Sequence, residues 1–258
     1  MDLGLDGKRV LVTGAGRGIG LAIVRAFLAE GATVVGASRR ATDETTALVD
    51  ADDRFSFFGV DLSDPAGPAA MVDAFPGQID VLVNNVGSAP VRPGGFASID
   101  DETWAQTIGL NLLAAVRACR SALPRLAEQG SILNIVSENA ILADPQVLDY
   151  SAAKAALLSV TKSLSKELGP RGFRVNSISP GPVETALWLG DSGVAATVSK
   201  AQNIDPAAVR AGAESQMATG RFTRPEEVAD LAVMLSSPRL GNLTGADVVI
   251  DGGMRPTM

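Results

Sequence analysis

The chain has 258 residues, 46% hydrophobic side chains, a net charge of −7 and a sequence pI near 4.7. Its acidity argues against a nucleic-acid-binding surface. It has no histidine and one cysteine, Cys119, which excludes a Ser-His-Asp or Cys-His nucleophile system, an internal disulfide and a structural zinc site.

In chain order, Arg9 to Thr13 reads as a buried strand. The glycine-rich run Thr13-Gly14-Ala15-Gly16-Arg17-Gly18-Ile19-Gly20 follows and opens a helix from about Gly18 to Glu30. Thr33 to Ala37 predicts a second strand, and Asp43 and Glu44 start the next helix. Phe55 to Val60 is a third strand, 64–75 a helix, and Val81 to Val83 a fourth strand. A helix over 101–119 leads to a fifth strand, Ile132 to Val136. A helix over 150–168 leads to a sixth, Arg174 to Ile178. After a long irregular stretch, 186–219, come a helix over 225–236 and a short last strand, Asp247 to Ile250.

Near-continuous apolar strands separated by helices predict an α/β fold: a doubly wound, Rossmann-type parallel sheet of about seven strands, covered on both faces. The length suits a single domain over 1–258. The stretch 186–219 is too long for an ordinary connection and is a candidate substrate lid. No apolar run approaches the roughly 18 residues that span a bilayer. The opening Met1 to Gly7 has no secretory leader pattern, and a lone cysteine fits a reducing compartment. A cytoplasmic protein with no membrane or nucleic-acid partner and no metal site is predicted.

Acid–base chemistry is left to carboxylates, lysine or the single tyrosine, Tyr150. Tyr150 and Lys154 are four apart on a helix and share a face. A cation close to a phenol favours the phenolate, so the pair suits proton transfer. The glycine-rich loop, placed between strand and helix, suits a pyrophosphate at the helix N-terminus.

The Gly14, Gly18 and Gly20 spacing, joined to Tyr150-x-x-x-Lys154, resembles the short-chain dehydrogenase/reductase family. Further pieces occur in order: Asn84-Asn85-Val86-Gly87 after the fourth strand (with Val where the family has Ala), Asn111 in a helix, Ser137 after the fifth strand, and Pro180-Gly181-Pro182-Val183-Glu184-Thr185 after the sixth. The resemblance covers essentially the whole chain. It implies that Tyr150 exchanges a proton with the reacting oxygen and that Ser137 hydrogen-bonds that oxygen. Lys154 would lower the tyrosine pKa and hold the nicotinamide ribose, and Asn111 would hold a water linking Lys154 to solvent. Gly14, Arg17, Gly18, Ile19 and Gly20 would surround the pyrophosphate, with Asn85 and Gly87 beside them. Asp61 and Leu62 would meet the adenine, and Pro180, Gly181, Val183 and Thr185 the nicotinamide side.

Ser38 stands where NAD-preferring relatives tend to carry an acid, and Arg39 follows it. Arg39 and Arg17 can clamp a 2′-phosphate, so NADP(H) is expected over NAD(H). The alternative is that both arginines are merely solvated. Val91, Ala140, Val147, Leu187 and Trp188 predict a mainly apolar carbonyl substrate, either a 3-oxoacyl thioester or a ketone. Glu138 departs from the small residue expected there; it contacts a polar substrate group, faces solvent or meets a neighbouring subunit. Arg92 is the one cation available to a substrate carboxylate. Helices apolar on more than one face (Leu110, Leu112, Leu113, Val116; Leu157, Leu158, Val160, Leu164) predict a homo-oligomer, and the family resemblance implies a homotetramer. A different class stays open: a non-catalytic NADP-binding scaffold or sensor on the same fold.

Overall fold

Val10, Leu11 and Val12 are all fully buried. Successive strand side chains point to opposite faces, so this run needs cover above and below. The computed structural model, which describes residues 2–191 and 193–256, supplies it. Seven strands form one sheet: β1 (Arg9–Thr13), β2 (Thr33–Ser38), β3 (Phe55–Gly59), β4 (Ile79–Asn84), β5 (Leu126–Ile135), β6 (Arg174–Pro180) and β7 (Asp247–Ile250). Their order is β3-β2-β1-β4-β5-β6-β7, and every neighbouring pair is parallel.

The helices are α1 (Gly18–Ala29), α2 (Asp43–Ala51), α3 (Gly67–Ala74), α4 (Asp101–Ile108), α5 (Ala114–Ala122), α6 (Leu148–Leu168), α7 (Ala186–Leu189), α8 (Val194–Gln202), α9 (Pro206–Glu214) and α10 (Pro225–Ser236). On one face, Val10 and Val12 pack with Phe27 of α1 and Val228 and Ala232 of α10. On the other, Leu11 and Leu82 pack with Met71 of α3 and Ala118 of α5. The strand order turns around between β1 and β4, which opens a crevice at their carboxyl ends. No helix among the described residues is long and apolar enough to cross a membrane.

Three elements differ from the sequence expectation. The helix expected over 101–119 is interrupted by a π-helical turn, Gly109–Leu113, and continues to Ala122. The stretch 186–219, expected to be irregular, contains the three helices α7, α8 and α9. Their small, mixed side chains bury few residues each, which is why no helical stripe stands out. Strand β5 starts at Leu126, six residues early; Gln129 sits at a positive φ of 60° and the pairing with β4 shifts register nearby. That irregular start hides the strand behind the polar run Glu128-Gln129-Gly130.

Candidate active site

The carboxyl ends of β1, β4, β5 and β6 meet at one edge of the sheet, and the site is built there. Tyr150 lies in the first turn of α6, with Lys154 one turn on. Lys154 is only 3% exposed. Its Nζ donates to the Ile135 carbonyl at 2.8 Å and lies 5.7 Å from the centre of the Tyr150 ring. Ser137 lies two residues past the end of β5, and its Oγ accepts from the Asn139 N–H at 3.2 Å.

Asn111 sits inside the π-helical turn and is buried. Its Oδ1 accepts from the Ser88 N–H at 3.0 Å, and its Nδ2 donates to the Thr107 carbonyl at 3.1 Å. Single π turns frequently mark functional sites; this one is what presents Asn111. A Cβ added to Gly87 would lie 2.9 Å from Asn111 Oδ1 and 3.5 Å from Lys154 Nζ. Gly87 therefore leaves open the space between the asparagine amide and the lysine ammonium.

Burial dominates the electrostatics. It pushes the Tyr150 phenol up to about 12, against a lowering hydrogen bond from Ser137 and with Glu138 adding to the rise. Burial also pushes Lys154 down to about 8. The lowering of Tyr150 by Lys154 that their spacing implies is not seen in this geometry, because the ammonium is turned to the Ile135 carbonyl. Glu138, 6% exposed, is raised to about 8, chiefly by burial, with Asp251 adding and Arg255 opposing.

The glycine-rich loop has the shape of a phosphate cradle. Gly14 and Gly18 take positive φ. A Cβ on Gly20 would fall 2.1 Å from the Gly14 carbonyl oxygen, and one on Gly14 would fall 2.8 Å from Asn85 Nδ2. The N-terminus of α1 carries no side-chain cap and no acidic residue in its first turn, so its amides are free for an anion. Ile19 packs against the core beneath. Asn85 donates from Nδ2 to the Thr13 and Gly14 carbonyls at 3.1 and 3.2 Å, which ties β4 to the loop. Thr185 brings the β6 loop across, its Cγ2 lying 3.2 Å from where a Gly18 Cβ would stand.

At the far end, Ser38 Oγ donates to the Arg40 carbonyl at 3.1 Å, and Arg39 is exposed. The Asp61 carboxylate is held low by bonds from Ser63, with the Arg39 charge contributing. A dinucleotide fits this arrangement: a glycine cradle, an uncapped helix end and cations beside Ser38.

A family model described as Enoyl-(Acyl carrier protein) reductase matches residues 14–255. The chain belongs to the short-chain dehydrogenase/reductase family. It is 37% identical to a D-threitol dehydrogenase of Mycolicibacterium smegmatis, over 98% of this chain and 94% of that one. It is 34% identical to a 3-oxoacyl-acyl-carrier-protein reductase of Chlamydia pneumoniae, over 98% and 99%. Among solved structures, L-sorbose reductase from Gluconobacter frateurii, complexed with NADPH and L-sorbose, superposes with a TM-score of 0.90 at 31% identity and full coverage of both chains.

Within this short-chain dehydrogenase/reductase frame, some expected residues serve the scaffold. Leu62 is 3% exposed and packs in the core, which leaves Asp61 as the exposed member of that pair. Val183 is buried and bridges to Thr223, whereas Pro180 and Gly181 follow the sheet edge beside Ile250. Trp188 stacks edge-on against Phe222 at 5.1 Å. Arg92 is not available to a substrate carboxylate: its Nε donates to Asp149 at 3.1 Å, and Thr107 Oγ1 donates to the same carboxylate at 2.7 Å. Burial pushes Asp149 up, but the Arg92 and Thr107 bonds outweigh it and hold the carboxyl below its usual value. Asp149 immediately precedes Tyr150, so this buried pair fixes the start of α6. Sequence reasoning missed that role for Asp149 and Thr107, and it missed Arg255 as a neighbour of Glu138.

Proposed function

We propose that this chain transfers a hydride between NADP(H) and a substrate interconverting C=O and CH–OH. The observation that carries the reading is the convergence of Tyr150, Lys154, Asn111 and Ser137 at the carboxyl edge of the sheet, beside the opening that Gly87 leaves. The bound nicotinamide supplies the hydride chemistry. Tyr150 gives its proton to the reacting oxygen in reduction and takes it back in oxidation. Ser137 hydrogen-bonds that oxygen and stabilises developing negative charge. Lys154 holds the nicotinamide ribose, and Asn111 holds a water that connects the lysine to solvent. Gly14, Arg17, Gly18 and Gly20 hold the pyrophosphate.

NADP(H) is favoured by Ser38 in place of an acid, by the exposed Arg39 and Arg17, and by the NADPH in the related L-sorbose reductase structure. The relatives' names span polyols, ketoses and acyl-carrier thioesters. For this chain, Val91, Val147 and Leu187 favour a substrate with a mainly apolar body, a ketone or a 3-oxoacyl thioester. We place it in one domain, with α7 to α9 as the substrate lid; Leu187, Leu189 and Ile204 there are 41%, 38% and 42% exposed. Half-buried Leu110, Leu113 and Val116, with Leu158, Val160 and Leu164 on α6, support a homotetramer, and the cysteine content supports the cytoplasm. A panel of ketones, acyl thioesters and alcohols followed by NADPH absorbance tests the reading. Tight NADPH binding with no turnover across the panel would favour a cofactor-binding scaffold instead.

A further inference from the structure

Thr107 is joined to two parts of the site, to one by its side chain and to the other by its main chain. Its hydroxyl donates to Asp149 Oδ2 at 2.7 Å and accepts from Arg92 Nη2 at 3.1 Å. Its carbonyl accepts from Asn111 Nδ2 at 3.1 Å. Asp149 stands one residue before Tyr150. One residue of α4 therefore holds both the neighbour of the proton donor and the asparagine of the π turn. A threonine hydroxyl inside a helix can simply bond back to the carbonyl one turn earlier, as Thr161 does to Leu157 at 2.9 Å. The Thr107 hydroxyl reaches across to α6 instead. Thr107, Asp149 and Asn111 are all buried, so water does not stand in for these bonds.

The two helices are matched along their length. Thr107 and Asn111 are four apart on one chain segment, and Asp149 and Lys154 are five apart on α6. The bond from Thr107 to Asp149 pins the segments at one point. One turn on, Asn111 comes beside Lys154: Asn111 Oδ1 and Lys154 Nζ lie 2.9 and 3.5 Å from the point that a Gly87 Cβ would occupy. The Asn111 amide is held at both ends, since Oδ1 also accepts the Ser88 N–H at 3.0 Å. A slip of α4 along α6 would disturb both pairings together. Arg92 closes the joint from the preceding loop, with its Nε donating to Asp149 at 3.1 Å and its backbone N–H to the Gln146 carbonyl at 2.7 Å.

We propose that Thr107 is a positioning residue: its hydroxyl fixes the register of α4 and the π turn against α6, so that Asn111 and the Tyr150–Lys154 pair take their working places together. This inference rests on the carbonyl/alcohol reading above and adds to it a residue that acts through Asp149 and Asn111. A small misplacement of a reacting group costs much turnover, so the loss of one hydroxyl should be felt at the phenol. Serine keeps a hydroxyl that both donates and accepts, whereas valine keeps only the shape.

The test compares Thr107→Val, Thr107→Ser and Thr161→Val. The last removes a buried hydroxyl of α6 that bonds Asn134 and Leu157. Reduction of acetoacetyl-CoA and of cyclohexanone with NADPH gives kcat and KM, with thermal melting as the folding control. Because the chain has a single tyrosine, protein made with fluorotyrosine gives one fluorine NMR signal that reports Tyr150 without turnover. Thr107→Val should lower kcat by about ten- to a hundredfold, leave the KM for NADPH close to that of the parent, and shift or split the fluorine signal. Thr107→Ser and Thr161→Val should keep the parent's kcat and signal, even where Thr161→Val melts lower. Should Thr107→Val fail to fold, the double variant Thr107→Val/Asp149→Asn, in which no carboxylate is left short of a donor, carries the same comparison. Full activity in Thr107→Val, or an equal loss in Thr107→Ser or Thr161→Val, overturns the positioning role. A parent that reduces neither compound counts against the proposed reaction, and the fluorine signal then decides the register alone. A signal moved in Thr107→Val and not in Thr161→Val supports it; one unmoved in Thr107→Val, or moved equally in both, overturns it.

Discussion

The Lys154 ammonium lies 5.7 Å from the centre of the Tyr150 ring and donates to the Ile135 carbonyl at 2.8 Å. Lys154 is buried and Tyr150 half-buried, and loss of water disfavours the charged form of each. The phenol is raised to about 12 and the ammonium lowered to about 8. Tyr150 is therefore a protonated donor at neutral pH, the form that carbonyl reduction needs.

Direction and pH should be linked as a result. Alcohol oxidation needs the phenolate, whose fraction grows roughly tenfold per pH unit below the phenol pKa. Oxidative catalytic efficiency should climb through the neutral and alkaline range, while reduction stays level near neutrality. Both are read from pH profiles of kcat/KM. A flat oxidative profile from mildly acidic to alkaline pH would contradict the assignment.

Glu138 should make stability fall as pH rises. Its folded-state carboxyl is raised from 4.5 to about 8, so between those values the folded protein keeps a proton that the unfolded chain has lost. Stability declines across that window, by about 5 kcal/mol at most. Glu138→Gln should remove this decline. Urea unfolding across the window gives the measurement; parallel curves for the two proteins would count against a strained buried carboxyl.

Asp149→Ala should destabilise the fold by about 3 kcal/mol, the usual scale for breaking a buried pair by removing one partner. Asp149 is fully buried, and the change strands Arg92 and Thr107. Adding Arg92→Met should restore part of the loss, because no unpaired cation is then left. Chemical denaturation of the single and double variants decides it, and an unaffected single variant would refute the anchoring role.

Cofactor choice should turn on the end of β2. Arg39→Ala should cut the preference for NADP(H) by about tenfold, the scale of one charge-assisted contact. Ser38→Asp should move the preference toward NAD(H), by repelling the phosphate and accepting from a free ribose hydroxyl. Catalytic efficiencies with both cofactors test this. An NAD(H) preference in the parent protein would overturn it.

The sheet was legible because strands buried on both faces leave unbroken apolar runs, as Val10 to Val12 do. Tyr150 and Lys154 were legible as a pair on one helix face from their spacing, and only the motifs around them, from the glycine-rich loop to Ser137, turned the pair into a candidate site. The π turn at Gly109–Leu113 was not, since one extra residue per turn leaves no mark on an apolar pattern. The helices of 186–214 were hidden because small residues such as Ala195, Ala207 and Ala211 serve helix and loop alike. The charged surroundings of Glu138 were hidden for a different reason. Arg255 lies 117 positions away in sequence, and only the folding of β6 and β7 side by side brings it near.

The most direct measurement is turnover of Tyr150→Phe beside its binding of NADPH. Losing the phenolic proton should cut carbonyl reduction by about 10²–10⁴-fold, with NADPH affinity and melting temperature close to those of the parent. Turnover within a few-fold of the parent would show that the proton comes from elsewhere, and the proposed site would fail with it.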